Sequence, residues 1–295
     1  MSECFLVVGG EGFIGRNLVS SLSNKGDEVV TLDINGEPDI RISIKDRNKL
    51  LEINGKFDGI FHLAAKTSPP YFDIDLNGGF LTNVNGTLNV LEFAKRSGIR
   101  KVVLASSSAV YGNNSTKSYE TSVPEYHSSM YAVTKVFDEY LARYYSFRSE
   151  IECVSLRYFN TYGSNENNKG IYSSQISKFI NFALKEAPIE VYGNGSQSRD
   201  FIYIKDTVEA TIKAYERGKA GESYNIGTGI STDFNTIASI VKEETGSKSE
   251  IVHVPNPLKS YQMFTQADMS KTEKQLNFKA KYDVRMGIRD ILSKI

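Results

Sequence analysis

The chain has 295 residues, 40% of them hydrophobic, with 35 basic and 35 acidic side chains that cancel to a formal net charge of zero. That length supports a sizeable core in one large domain or two closely joined ones, and the charge balance excludes the basic footprint of a nucleic-acid binder or a polybasic membrane patch. Two cysteines, Cys4 and Cys153, and three histidines without metal-ligand spacing supply neither a disulfide framework nor a metal centre, and they fit a reducing, cytoplasmic setting.

In chain order, Phe5–Val8 reads as a strand that meets glycines at once, too short an apolar run for a secretory leader or a membrane span. Ile14–Lys25 follows as a helix, then Glu28–Leu32 as a strand and Gly59–Leu63 as another. Asn83–Ser97 has helical spacing, Lys101–Ala105 is a strand, Tyr131–Tyr145 a helix and Glu152–Leu156 a strand. Strands alternating with helices predict an α/β fold, a Rossmann-type doubly wound parallel sheet covered on both faces. Beyond about Asn160 the pattern loosens. The reading is a dinucleotide-binding domain over residues 1–160 with segments returning to it near 198–229, and a smaller mixed α/β substrate-binding lobe over most of 161–295, interleaved with it.

Between the first strand and first helix stands Gly9-Gly10-Glu11-Gly12-Phe13-Ile14-Gly15. Glycines at 9, 12 and 15 allow a tight turn, a close backbone approach to a pyrophosphate and close packing of helix on strand. The helix N-terminus then presents unpaired N–H groups to the phosphates. Asp33 closes the second strand roughly twenty residues on, where an acid bonds the adenosine ribose hydroxyls. Its charge repels a 2′-phosphate, so the expected cofactor is NAD rather than NADP.

Tyr131 and Lys135 are four apart and share a helix face. A tyrosine holds its proton to about pH 10, but a neighbouring ammonium favours the phenolate and makes the phenol a usable base. Ser106-Ser107-Ser108-Ala109-Val110-Tyr111-Gly112 directly follows an apolar strand, where a serine of a parallel sheet points into the ligand crevice.

These motifs, taken with His62–Ala65, Asn83–Thr87, Leu156–Gly163 and Arg199–Tyr203, resemble the extended short-chain dehydrogenase/reductase family, and within it the nucleotide-sugar epimerases and dehydratases. The resemblance runs in order from Phe5 to about Asp268. It implies Ser107, Tyr131 and Lys135 as the catalytic set, with Tyr131 as base and Lys135 also holding the nicotinamide ribose. It implies NAD contacts from Gly9, Gly12, Phe13, Ile14 and Gly15, from Asp33 and Ile34, and from Ser43 and Ile44 at the adenine. Further along, Leu63, Ala64, Ala65, Asn83 and Tyr158 complete the cofactor side. On the substrate side it implies Ser107, Tyr131, Asn160, Tyr192, Arg199 and Gln262 around a nucleotide-diphosphate sugar. Arg199 suits phosphate or ribose oxygens by its forked guanidinium, although an ion pair with a nearby acid accounts for it as well. No metal is implied.

The shared chemistry of the family is transient oxidation of a sugar hydroxyl, and the outcome depends on what stands beside the catalytic serine. Family dehydratases carry an Asp-Glu pair and decarboxylases a Glu there; this chain has Ser108 and Ala109. With neither tool, returning the hydride to the other face is the simplest result, an epimerisation of the UDP-glucose/UDP-galactose 4-epimerase type. Other nucleotide-sugar epimerases (UDP-N-acetylglucosamine 4-epimerase, ADP-heptose 6-epimerase), a net sugar-nucleotide dehydrogenase or reductase, and a non-catalytic NAD sensor on the same fold remain as alternatives.

Two departures stand out. Ser43-Ile44 occupies the place of the usual adenine-side Asp-Ile, which leaves the adenine to backbone contacts. The family's Arg-Pro-Gly-Asp near the end is replaced by Pro257–Asp268, which resembles the ADP-heptose 6-epimerases. Those enzymes use a lysine at the spacing of Lys169-Gly170 as a second acid/base; here Lys169 is read as an exposed loop residue. The resemblance also implies a homodimer through the helices of Asn83–Ser97 and Tyr131–Tyr145, with Phe93, Val136, Phe137, Tyr140 and Tyr144 as contributors, although burial within the protomer accounts for most of them equally well.

Overall fold

The computed structural model describes residues 2–67, 69–124, 126–127, 129–148, 151–164, 166, 173–257 and 262–295. Lys169 and Gly170 lie outside these residues.

The chain begins with β1 (Cys4–Val8), α1 (Phe13–Asn24), β2 (Glu28–Asp33), β3 (Ile40–Arg41), α2 (Arg47–Leu51) and β4 (Gly59–His62). Two short helices, α3 (Pro69–Ile74) and α4 (Leu76–Phe80), lead through a π-helical turn at Leu81–Asn85 into α5 (Gly86–Arg96). β5 (Lys101–Ser107), α6 (Met130–Arg148) and β6 (Glu152–Tyr158) complete the first half. The second half runs β7 (Asn160–Tyr162), α7 (Gln175–Leu184), β8 (Ile189–Tyr192), β9 (Ser198–Tyr203), α8 (Ile204–Arg217), β10 (Ser223–Ile226), β11 (Ser231–Asp233), α9 (Phe234–Thr245), β12 (Ile251–Val254), α10 (Ser270–Leu276) and α11 (Val284–Leu292).

β1 shows why the sheet forms. All but its first residue are buried, and successive side chains alternate between faces: Phe5 and Val7 join one core, Leu6 and Val8 the other. A strand buried on both faces is a continuous apolar run, the mark of a parallel sheet under helices. The large sheet has the order β10-β6-β5-β4-β1-β2-β3, and every pair in it is parallel. The order reverses between β1 and β4, and ligands of such sheets bind outside the strand ends at that point.

One face carries α1, whose Leu18 and Leu22 pack with Phe5, Val7 and the Val208 side of α8. The other face carries α5 and α6 over Leu6, Val8, Ile60 and Val102. A three-stranded sheet, β11-β9-β7, and a two-stranded one, β12-β8, build the smaller lobe with α7, α9 and α11. Its Phe179, Val191 and Phe234 are continuous with the α1/α8 core, so the two parts share one apolar interior. Within the returning segment, β9 belongs to the small sheet, whereas α8 covers the large sheet and β10 forms its edge.

Several elements differ from the sequence expectation at their ends. β5 and β6 each run two residues further, because pairing continues as Ser106↔Arg157 and Ser107↔Tyr158. The helix expected from Asn83 starts at Gly86, with Asn83 placed in the π-helical turn. On α5, Phe93 is buried in the core on one face of the sheet, and on α6 Val136 packs against the core on the other, so for these two burial within the protomer is the reading that holds. Phe137, Tyr140 and Tyr144 are exposed at 47%, 64% and 58%.

Candidate active site

Gly9 sits where β1 leaves the sheet, at a φ of +87° that only glycine adopts without strain. Its amide donates to the Leu32 carbonyl at 2.7 Å. A Cβ on Gly9 would lie 2.5 Å from the Ala64 nitrogen, and one on Gly15 would lie 2.1 Å from the Gly9 oxygen. The loop therefore closes against the end of β4 only with glycine at both places. α1 starts beyond Gly12 with no side-chain cap and no acid in its first turn. Its first N–H groups and the positive end of its dipole are turned to an anion.

Asp33 is pinned at the end of β2. Its Oδ2 accepts from the Glu11 amide at 3.1 Å and its Oδ1 from the Ile34 and Asn35 amides at 2.7 and 3.1 Å. Ile34, Ile42, Ser43, Ile44 and Lys45 continue the same wall. The Ser43 hydroxyl accepts from the Lys45 amide at 3.3 Å, and Asn89 donates to the Ile44 carbonyl at 2.9 Å. An uncapped helix end, an acid at the end of β2 and a largely apolar wall beyond it form a set that fits a dinucleotide.

These residues line one cavity of about 610 Å³. Gly9, Gly12, Phe13, Ile14, Gly15, Leu63, Ala64 and Ala65 face it from the β1 and β4 ends, and Ser107, Tyr131, Lys135 and Tyr158 from the β5–β6 side. The cavity thus gathers the whole proposed catalytic set with the glycine loop. Ser107 is the last residue of β5, and its Oγ accepts from the Ala109 amide at 3.1 Å. Tyr131 is 8% exposed, with its ring centroid 6.1 Å from that of Phe72 on α3. Lys135 Nζ donates to the Ala105 carbonyl at 2.9 Å and to Asp138 Oδ2 at 3.1 Å. Burial pushes the Tyr158 phenol up, and its hydroxyl meets Thr211 Oγ1 at 2.8 Å, so it acts as a neutral wall.

Other expected residues stand behind or beside the cavity. Asn83 is fully buried and ties the loop after β4 to α6: its Oδ1 accepts from the Lys66 amide at 2.7 Å, and its Nδ2 donates to Thr134 Oγ1 and the Lys66 carbonyl, both at 3.0 Å. Asn160, Tyr192, Arg199 and Gln262 lie in the smaller lobe and are absent from the lining of this cavity. Asn160 donates to Thr265 Oγ1 at 3.1 Å. Arg199 donates to the Ser198 and Gln262 carbonyls and lies 5.6 Å over the Phe234 ring. Gln262 Nε2 donates to the Gly112 carbonyl at 2.7 Å, which couples this cluster to the segment after Ser107.

Sequence reasoning missed the wall formed by Lys66, Thr67, Tyr71 and Asp75. Lys66 Nζ lies 4.5 Å from the Tyr71 ring centroid. The signal was the position of Lys66 immediately after Ala65. It missed, too, that Glu139 on α6 reaches across to β6. Among the described residues, no group of three or more His, Cys, Asp and Glu is placed to hold a metal ion, and no helix is long and apolar enough to cross a membrane.

A family profile described as the NAD dependent epimerase/dehydratase family matches residues 5–227. A UDP-N-acetyl-alpha-D-glucosaminuronate decarboxylase of Bacillus cytotoxicus is 35% identical over 277 residues, covering 86% of this chain and 84% of the relative. A putative UDP-glucose 4-epimerase of Methanocaldococcus jannaschii is 32% identical, covering 98% of this chain and 97% of the relative. The crystal structure of UDP-glucose 4-epimerase with UDP-glucose from Thermotoga maritima superposes with a TM-score of 0.91 at 27% identity, over 98% of this chain and 97% of that one.

Proposed function

We propose a specific activity for this chain, which belongs to the NAD-dependent epimerase/dehydratase family of nucleotide-sugar enzymes: epimerisation at C4 of a UDP-hexose, of the UDP-glucose/UDP-galactose type. The observation that carries the reading is the single cavity in which Ser107, Tyr131 and Lys135 meet the glycine loop, with Ala109 beside Ser107. Decarboxylases are among the relatives, but a decarboxylase of this family uses a carboxylate where Ala109 stands, and a methyl group can neither donate nor accept a proton.

NAD bound in the cavity supplies a hydride acceptor and, later in the same turnover, a hydride donor. The Gly9–Gly15 loop and the N-terminus of α1 hold its diphosphate, and Asp33 accepts from the adenosine ribose hydroxyls. Ser107 donates a hydrogen bond to the oxygen of the sugar hydroxyl being oxidised. Tyr131 takes the proton from that hydroxyl as the C–H bond breaks, and it returns the proton when the opposite face of the keto-sugar is reduced. Lys135 stabilises the phenolate and binds the nicotinamide ribose. From the smaller lobe Asn160 holds the substrate diphosphate, Tyr192 and Arg199 stand at its nucleotide end, and Gln262 completes the substrate side.

The same reading places the enzyme in the cytoplasm as a homodimer through the exposed faces of α5 and α6. The test is Tyr131→Phe assayed on UDP-glucose and UDP-galactose: turnover falls by about three orders of magnitude, within the range for general base loss, while NAD binding persists. Full activity of the variant would remove Tyr131 from the role of base.

A further inference from the structure

Beneath the catalytic set lies a buried carboxylate that the chemistry above does not use. Asp138 stands three residues after Lys135 on α6, is 3% exposed, and receives Lys135 Nζ on its Oδ2 at 3.1 Å. Among the described residues, its Oδ1 has no hydrogen-bond partner. The groups facing it are few. Lys135 and Glu139 face it from α6, and the Thr87 hydroxyl does so from α5. Thr87 Oγ1 in turn lies 3.0 Å from Nε2 of His62, at the end of β4.

Two of these cannot answer its charge. Glu139 is itself a carboxylate, paired with Arg157 at 2.7 Å, and repels it. His62 stays neutral, because burial and then the charge of Lys135 push it down to about 3. Lys135 is therefore the one cation available to Asp138 among these groups, and Asp138 is the one carboxylate bonded to Lys135 among the described residues.

We propose that Asp138 is a positioning residue for Lys135: it tethers the ammonium beneath the Ala105 carbonyl and offsets its charge beside Tyr131, so that neutralising the carboxylate frees the ammonium toward the cavity. The inference rests on the reading of Tyr131 as the base. With the carboxylate charged, the pair is neutral and gives the phenolate little support; with it protonated, the ammonium acts unopposed. Burial pushes Asp138 up to about 6, against the pull of Lys135, so the change falls where enzymes work. The two titrations oppose each other: acid protonates Tyr131 but also releases the ammonium that resists that protonation. The acid limb of the activity profile is accordingly shallow.

The test uses the full chain with Asp138→Asn and has two readouts. In protein carrying carboxyl-¹³C aspartate, one carboxyl signal titrates near pH 6, disappears in Asp138→Asn and moves to higher pH in Lys135→Met, which removes the cation that lowers it. With UDP-galactose as probe, the acid limb of Asp138→Asn becomes a steep single-proton limb displaced to lower pH by up to about tenfold in proton concentration. A purely structural pair would lower turnover evenly and leave the limb in place. The proposal is overturned by an unmoved limb in Asp138→Asn, or by the absence of an aspartate signal near pH 6 that responds to Lys135→Met. The second criterion needs only wild type and Lys135→Met, so it decides the matter even where Asp138→Asn does not fold. Activity retained in Tyr131→Phe would defeat the base assignment instead, with the aspartate titration untouched.

Discussion

Glu139 and Arg157 meet between α6 and β6 as a two-pronged pair, Nε to Oε1 at 2.8 Å and Nη2 to Oε2 at 2.7 Å. Ser106 Oγ donates to the same carboxylate at 2.6 Å and Ser223 Oγ at 3.1 Å. One buried acid thus joins β5, β6, β10 and α6, and it fixes the end of β5 from which Ser107 projects.

Burial alone would raise the Glu139 carboxyl, but the hydrogen bonds and charge of Arg157, with Ser106 and Ser223, hold it below its ordinary value. A carboxylate depressed on folding stabilises the protein above its unfolded value of about 4.3. That contribution is lost as pH falls below this value and through the folded one. Glu139→Gln leaves Arg157 buried without a counter-charge and destabilises the fold by about 3–5 kcal/mol at neutral pH. Urea unfolding should show that deficit at pH 7 and a smaller one below pH about 4, where the wild type loses the same term. Equal stability of the two proteins at pH 7 would contradict the account.

Gly15→Ala should act differently from a surface substitution on the same helix. The added methyl meets the Gly9 carbonyl at 2.1 Å, a backbone atom that cannot turn aside. Opening the loop costs about 1–3 kcal/mol of stability and displaces the N–H groups from the diphosphate. Calorimetry should find NAD affinity reduced by tenfold or more; binding as tight as wild type would mean that the loop does not hold the diphosphate.

Asp33→Ser removes the carboxylate proposed to accept from the ribose hydroxyls and to repel a 2′-phosphate. NAD binding weakens by about tenfold, the loss of one charged hydrogen bond, while NADP binding strengthens. The ratio of the two dissociation constants is the measurement, and an unchanged ratio would count against the role of Asp33.

Phe137, Tyr140 and Tyr144 lie on the outer side of α6. Leu81 and Leu88 are exposed at the start of α5 and just before it. An apolar strip of this kind suits an isologous contact. Sedimentation of the wild type should give a dimer and of the Phe137→Glu, Tyr140→Glu double variant a monomer. A monomeric wild type would remove this part of the reading.

The parallel sheet was legible because β1, β4 and β5 carry apolar residues on both faces, a local signal. The last two residues of β5 and β6 were not: Ser106 and Arg157 are polar, and they are buried only because Glu139, distant in sequence, answers them. The strip Tyr131, Lys135, Asp138, Ala142 and Tyr145 has the spacing of a buried helix face, yet all but Ala142 are titratable, so a hydrophobic pattern undervalues it. The smaller lobe pairs β8 with β12, about sixty positions apart, in register from Ile189↔Ile251 to Tyr192↔Val254. Nothing local announces such a pairing. That Ser107, Tyr131 and Lys135 would line one cavity was legible for the opposite reason, since they sit in short motifs whose proposed chemistry dictates their spacing.

The central claim is most directly tested by following anomeric proton signals in purified protein incubated separately with UDP-glucose, UDP-galactose, their N-acetyl forms, UDP-glucuronate and ADP-heptose, without added NAD. The account predicts that UDP-glucose and UDP-galactose converge on one equilibrium mixture from either side, with no net NADH and no loss of carbon. Release of carbon dioxide from UDP-glucuronate, or no interconversion of any of these sugars even after NAD is supplied, would contradict it.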